Sequence, residues 1–208
     1  MLPELMNLNG SLGNAEVLAM RARWWGLDVD IHDATATDPL GAEPNLVVIG
    51  HGTTSTLQLA AQALEGWRET VASWWSAGVV FVGCGLGGDL LGQEVVAADG
   101  QTYRGVGISP LSTRLGGTRY AGEVVGVDYR GRPCAGYLND HTTRSGSIKT
   151  PLLRISTGPD ERWSGASLPG AEGYVDQRLW ISALSGPVFA LNPALADDVL
   201  HTLWPHTD

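Results

Sequence analysis

One thiol in this chain stands where a turn could make it reactive. The stretch Gly78–Gly92, GVVFVGCGLGGDLLG, sets Cys84 just after the apolar run Val79-Val80-Phe81-Val82, inside the Gly-rich turn 83–88. A short β-branched and aromatic run reads as a buried strand. Asp89-Leu90-Leu91-Gly92 reads as the opening of a helix. Strand, tight turn and helix together make a nucleophile elbow, which presents one residue at the carboxyl end of a sheet. There a helix dipole favours a thiolate, and backbone N–H groups can stabilise an oxyanion. Thiolate attack on an acyl or amide carbon would also need an imidazole within hydrogen-bond reach. Gly85, Gly87 and Gly88 have an ordinary explanation as positive-φ turn residues. The turn lacks the Lys-Ser/Thr of a phosphate-binding loop, so it argues little for a nucleotide.

The elements that would hold this turn follow from periodicity. Residues 1–13 read as a loop ending at Asn14, a good N-cap. From Ala15 to Trp25 the positions Val17, Met20 and Trp24, with Leu18, Ala22 and Trp25, make a broad helical stripe that Gly26 ends. Asp28–His32 alternates as a short strand, and Leu46–Ile49 reads as a buried one. Gly50-His51-Gly52-Thr53-Thr54 is a second strand-to-helix turn. Helical pattern covers Ser55–Leu64 and Trp67–Ser76. Alternating strands and helices predict an α/β fold with a parallel sheet covered on both faces. After Val96 the segments Gly105–Ser109, Arg119–Tyr129 and Lys149–Ser156 read as strands of a β-rich second half. The chain closes on a helix with Asn192 as N-cap, Pro193 at N1 and a stripe Leu195, Ala196, Val199, Leu200, Leu203, Trp204. No repeat and no long linker divides it, so residues 1–208 are expected to form one domain.

Composition bounds the function. The chain has 208 residues, enough for a core without staples. Its charged fraction is 17%, against about 25% in ordinary globular chains. That leaves little polar surface and points to a permanent partner. The adjacent tryptophans Trp24-Trp25 and Trp74-Trp75 add to this, since each pair spreads over two helix faces and at least one ring is expected at an interface. The net charge of −9 and the absence of a Lys/Arg cluster argue against nucleic acid. Cys84 and Cys134 lack metal-ligand spacing, so neither a metal nor any other cofactor is expected. Cys134, in GRPCAG, reads as an incidental loop thiol. No signal peptide or membrane-length apolar run is seen, and the expected location is the cytoplasm.

Several segments together resemble one family, the class I glutamine amidotransferases of the cobyric acid synthase type, and within it the GatD-like subunit of lipid II isoglutaminyl synthase. LPELMNLNGSLGNAEVLAMRARWWG is similar to the family's N-terminal segment. VVIGHGTTS falls where the family has a strand and an oxyanion-hole turn of three glycines. TRYAGEVV, GYLNDHTTRSG and SALSGPVFALNPALAD follow in family order. The resemblance implies a flavodoxin-like three-layer sandwich with a central, mostly parallel sheet. It also implies glutamine as substrate, and as partner an amide-forming synthase of the Mur-ligase type acting on cell-wall precursors.

The departures bear on activity. The family elbow runs Gly-x-Pro-x-x-x-x-Cys-Gly-Gly-(aromatic)-Gln-Leu-Leu-Gly, and Gly78–Gly92 lies over it without a gap. In that register Gly85 takes the nucleophile position, and Cys84 takes the strand-end position before it. Ser185 stands where the base histidine belongs, followed as expected by Gly186-Pro187. His51 replaces the middle glycine of the triple-Gly turn, either at the mouth of the vacated pocket or as an idle turn residue. Met1 falls where the family's first strand should end, so that strand is expected to be missing or supplied otherwise. The substrate-binding set implied by the resemblance is Gly50, His51, Gly52, Leu86, Arg119 and His141. Arg119 matches an arginine that positions the glutamine, or else pairs with a surface acid. His141 is a polar match outside the base position, or else a loop histidine bonded to Asp140. Three readings stay open: a glutaminase-inactive subunit of a ligase, an active amidotransferase with Cys84 as nucleophile, and a pseudoenzyme that binds a small metabolite.

Overall fold

Two runs of apolar residues build the first sheet, and the turns that follow them carry the candidate site. In the computed structural model the described residues are 1–38, 40–157, 163–166 and 170–205, of which 163–166 are described by backbone alone. The strands are β1 (Leu46–Ile49), β2 (Val80–Cys84), β3 (Glu94–Val96), β4 (Thr102–Arg104), β5 (Ser112–Asp128) and β6 (Pro133–Ile148). They continue as β7 (Leu153–Thr157), β8 (Trp163–Ala166), β9 (Ala171–Glu172), β10 (Tyr174–Asp176), β11 (Leu179–Ser182) and β12 (Leu184–Ser185). The helices are α1 (Gly13–Trp24), α2 (Leu57–Gly66), α3 (Arg68–Ala77), α4 (Leu86–Leu90), α5 (Val188–Leu191) and α6 (Pro193–Leu203).

The first sheet has the order β1-β2-β11-β10, with β2 parallel to both neighbours and β10 antiparallel to β11. Every residue of β2 is buried, as a strand covered on both faces requires. Alternation divides its side chains between the two faces. Phe81 meets Trp75 of α3 edge-on, with ring centroids 6.0 Å apart. Val82 lies on the opposite face, beside Trp180, whose ring meets Tyr129 at 5.6 Å. Tyr129 in turn donates to Asp198 of α6 at 2.9 Å. Burying one side chain the size of Phe81 contributes roughly 1.5–3 kcal/mol. The second sheet runs β12-β6-β5-β3-β4, with β7 and β8 attached to β5 and β6. Most of its pairs are antiparallel, and the long β5–β6 hairpin is its body.

The α/β arrangement expected from the sequence is present, but several local expectations need correction. Asp28–His32 is not a strand, because its alternating residues meet no partner strand. Gly105–Ser109 is a loop, and β7 begins only at Leu153. Cys134 and His141 belong to β6 rather than to loops. The first helix begins at Gly13, so Asn14 lies inside it, buried, and instead of capping α1 its Oδ1 accepts the Phe189 N–H in the first turn of α5 at 3.0 Å. Its core face is Leu18, Ala19 and Ala22, whereas Met20 and Trp24 are exposed. Asn192 precedes Pro193 as expected but makes no capping bond. Its amide instead clasps Ala135 of β6 through both N–H and C=O. As for the first strand, the Met1 amine donates to Val48 O at 2.7 Å and Leu2 N–H to Ala34 O. The opening residues therefore lie against β1.

Candidate functional site

Because β1 and β2 are parallel and Ile49 pairs with Gly83, the turns after both strands open at the same sheet edge. That is the edge at which α/β folds place their sites. β2 runs through Cys84, and α4 starts at Leu86, so Gly85 alone makes the bend. Its φ of 50° and ψ of −126° lie outside the regions comfortable for L-residues. Gly87 is required for a different reason: a Cβ there would lie 2.3 Å from Gly50 O, so α4 seats directly on the end of β1. Gly50 and Gly52 are buried, and a side chain on either would strike Met6.

His51 reaches across the elbow. Its Nδ1 accepts the Leu86 N–H at 3.1 Å. A Cβ built on Gly85 would fall 2.2 Å from the same nitrogen. The histidine backbone is pinned by the N-terminal loop, with His51 N donating to Ser11 Oγ at 2.7 Å and Leu8 N to His51 O at 2.8 Å. An imidazole that accepts at Nδ1 is neutral, with its proton on Nε2. Burial pushes the His51 pKa down, and Arg144 and His141 push the same way. Asp89 and Asp140 oppose them, and the net shift is downward.

Cys84 points elsewhere. It shares the face of Val82, and with Asn14, Trp180, Val188 and Phe189 it lines a void of about 10 Å³. Such a space holds at most a single water and cannot admit a glutamine side chain. Asn14 Nδ2 donates to Cys84 Sγ at 3.3 Å, and among the described residues no imidazole hydrogen-bonds to that sulfur. Burial pushes the thiol up to about 12 against the help of Asn14, and the nearby Glu172 adds to the rise. At neutral pH it is a protonated, packed side chain. Cys134 is likewise pushed up to about 11, chiefly by burial.

Beneath the elbow helix lies an ionic cluster that the sequence did not reveal. Arg144 of β6 donates from Nε and Nη2 to the two oxygens of Asp89 on α4, at 2.6 and 3.0 Å. Its Nη1 donates to Asp140 Oδ2 at 2.6 Å. Thr113 of β5 completes Asp89 at 2.8 Å, and Thr142 bonds to Asp140. All five residues are buried. Glu172 is a further buried acid, bonded to Ala183 N and Ser182 Oγ, and burial pushes its pKa up to about 7.

Of the residues singled out from the sequence, Gly50, His51, Gly52, Gly85 and Leu86 converge at the elbow. His141 lies near enough for its charge to bear on His51. Arg119 is exposed on β5 and donates to Asn139 Oδ1 at 2.8 Å, and among the described residues no acid pairs with it. Ser185 sits on β12 opposite Tyr137, next to Gly186, whose carbonyl lies 3.4 Å from the Asn14 amide. Ser11, Asn14, Asp89 and Arg144 were missed as site residues. Each is a polar residue with no motif of its own, which becomes informative once burial is known.

A strand–elbow–helix site at the edge of a parallel sheet, with a second antiparallel-rich sheet beside it, defines the α/β fold of the class I glutamine amidotransferases. Residues 1–186 match the CobB/CobQ-like glutamine amidotransferase domain, and the chain belongs to that family. Among solved structures it is similar to one described as a glutamine amidotransferase, with 12% identity over 96% of this chain and 97% of that one, at a TM-score of 0.57. It is also similar to PurLQS from Thermotoga maritima, with 10% identity over 84% and 85% of the two chains, at a TM-score of 0.51. At such identities these likenesses speak for the fold alone. No curated protein matches the sequence. Among the described residues no helix is long and apolar enough to cross a membrane.

Proposed function

We propose that this chain is a glutamine amidotransferase-like subunit that does not itself hydrolyse glutamine. It would serve an amide-forming synthase of the Mur-ligase type in the amidation of cell-wall precursors. The observation that carries the first half is the elbow: its bend is Gly85, and the adjacent thiol, Cys84, is protonated and packed against Asn14 on the far side of the strand. Glutamine hydrolysis in this family's manner requires a thiolate to attack the side-chain amide. Loss of a nucleophile silences comparable enzymes by about a million-fold. Ser185, standing where the resemblance puts the base, supports the same reading, since a serine hydroxyl cannot take up a proton at neutral pH as imidazole does. The ligase partner rests on the GatD-like resemblance together with the low charge fraction and the exposed Trp24.

The test has two arms. Purified protein incubated with glutamine should release no glutamate above the uncatalysed rate, alone or with a co-purified partner. Release that is abolished by Cys84→Ala would instead establish an active amidotransferase. Tagged protein recovered from its native host should carry a ligase of the Mur type, identified by mass spectrometry. Recovery as a bare monomer would remove the partner half of the proposal.

A further inference from the structure

The elbow is not simply vacant. Leu86 N–H, the donor just past the bend, is taken by His51 Nδ1 at 3.1 Å. The space into which a residue at 85 would project its side chain is taken by the same imidazole, with Nδ1, Cγ and Cε1 at 2.2, 2.6 and 2.9 Å from a Cβ placed there. Non-bonded carbon atoms pack best near 3.5–4.0 Å, so ring and Cβ exclude one another. The backbone that carries the ring is fixed, because the His51 N–H is held by the buried Ser11 hydroxyl and its C=O by Leu8 N–H, and the ring itself is held by the bond from Leu86. Ser11 is fixed in turn by its position just ahead of α1. The N-terminal loop thus presents His51 to the elbow.

We propose that His51 is a built-in plug of the elbow, and that His51 and Gly85 are an obligate pair. The imidazole occupies the place of the side chain that position 85 lacks, and it satisfies the N–H that would otherwise face a substrate oxygen. Gly85 is therefore more than a lost nucleophile: it is the residue that gives the plug room. This deepens the inactive reading above and rests on it, but it makes a separate demand. Supplying a thiol at 85, even with a histidine at 185, does not open the site while His51 remains. The groups facing the ring are Asp89 from α4 and Asp140, His141 and Arg144 from β6. Asp89 and Asp140 favour a charged ring and Arg144 and His141 oppose it, but burial is the largest influence and the net shift is downward, so the neutral ring that the Leu86 bond requires persists at physiological pH.

The experiment is a double-substitution cycle on the full chain, using Gly85→Ala, His51→Gly and the pair. Gly85→Ala alone should lower the folding equilibrium constant by at least tenfold more than it does in the His51→Gly background. Equal penalties in both backgrounds would overturn the plug. A second readout is alkylation by iodoacetamide, located by peptide mapping. The thiol introduced by Gly85→Cys should react at least tenfold faster when His51→Gly is also present, and equal rates would again overturn it. If Gly85→Cys alone does not fold, while the pair with His51→Gly folds and labels, the exclusion is met in its strongest form. If neither folds, the alanine cycle decides. Wild-type glutaminase activity is measured alongside. Activity with intact coupling would sink the inactive reading and leave the plug, whereas silence without coupling would do the reverse.

Discussion

Replacing Arg144 by methionine tests how the elbow is held to the rest of the molecule. The guanidinium is buried and bridges two buried carboxylates, one on the elbow helix and one on its own strand. Methionine keeps most of the aliphatic volume, so the cavity term stays small. The loss then falls on Asp89, which retains the Thr113 hydroxyl, and on Asp140, which retains Thr142. Removing one partner of a buried ion pair costs about 3–5 kcal/mol, since the other charge is left uncompensated. With two acids stranded here the upper end applies, a large share of the roughly 5–15 kcal/mol by which domains are stable. Burial by itself pushes the Asp140 carboxyl up, but Arg144 outweighs it and holds the pKa below the usual range. In the variant Asp140 loses the cation that held its pKa down and takes up a proton more readily, so the gap to wild type should narrow as pH falls from 7.5 to 5.5. Urea unfolding followed by tryptophan fluorescence at both pH values measures this. A loss below 1 kcal/mol, or a gap independent of pH, would refute the reasoning.

Three further outcomes are expected. Glu172 has its pKa raised by burial to about 7 from 4.5, so the unfolded chain ionises first. Stability should be full below about pH 4.5 and fall as pH rises to about 7, by about 3 kcal/mol in all from this group at 1.36 kcal/mol per unit. Glu172→Gln should remove that slope in pH-dependent urea midpoints. His51 has a lowered pKa, so the unfolded state binds its proton first. Its contribution should be complete above pH 6.5 and decline below it, and His51→Gly should flatten that limb of the thermal-melt profile. Trp24→Ser removes an exposed ring. It should change stability by under about 0.5 kcal/mol while weakening recovery of any partner in affinity purification.

The fold was most legible where burial is two-sided. Leu46–Ile49 and Val80–Val82 are unbroken apolar runs, and only a covered parallel sheet accommodates such runs side by side. The C-terminal helix announced itself through Asn192-Pro193 and its stripe. The β-rich half was harder to read, because β6 carries Gly, Asn and Asp within a long, twisted hairpin strand, residues that locally signal a turn. That is why His141 and Cys134 read as loop residues. Asp28–His32 shows the converse, since alternation without a neighbouring strand builds nothing. The bend at Gly85 could be placed only through the family resemblance, whose elbow pattern lies over Gly78–Gly92 without a gap. The Asp89–Arg144 pair could not, since its members lie 55 positions apart and only packing joins them. His51 stood in the sequence as either a pocket residue or an idle one. Its true neighbour, the missing side chain of Gly85, is not a residue that a sequence displays.

The central claim is that no reactive thiol faces the elbow, and intact-mass spectrometry after treatment with a glutamine-mimicking diazo-ketone tests it most directly. Attack by a thiolate would release dinitrogen and leave a stable thioether of increased mass. The wild-type protein should come through with its mass unchanged, because Cys84 is protonated, buried and bonded to Asn14 while His51 fills the space above Gly85. A single stoichiometric adduct that maps to Cys84, and that disappears when His51 or His141 is replaced by alanine, would contradict the account.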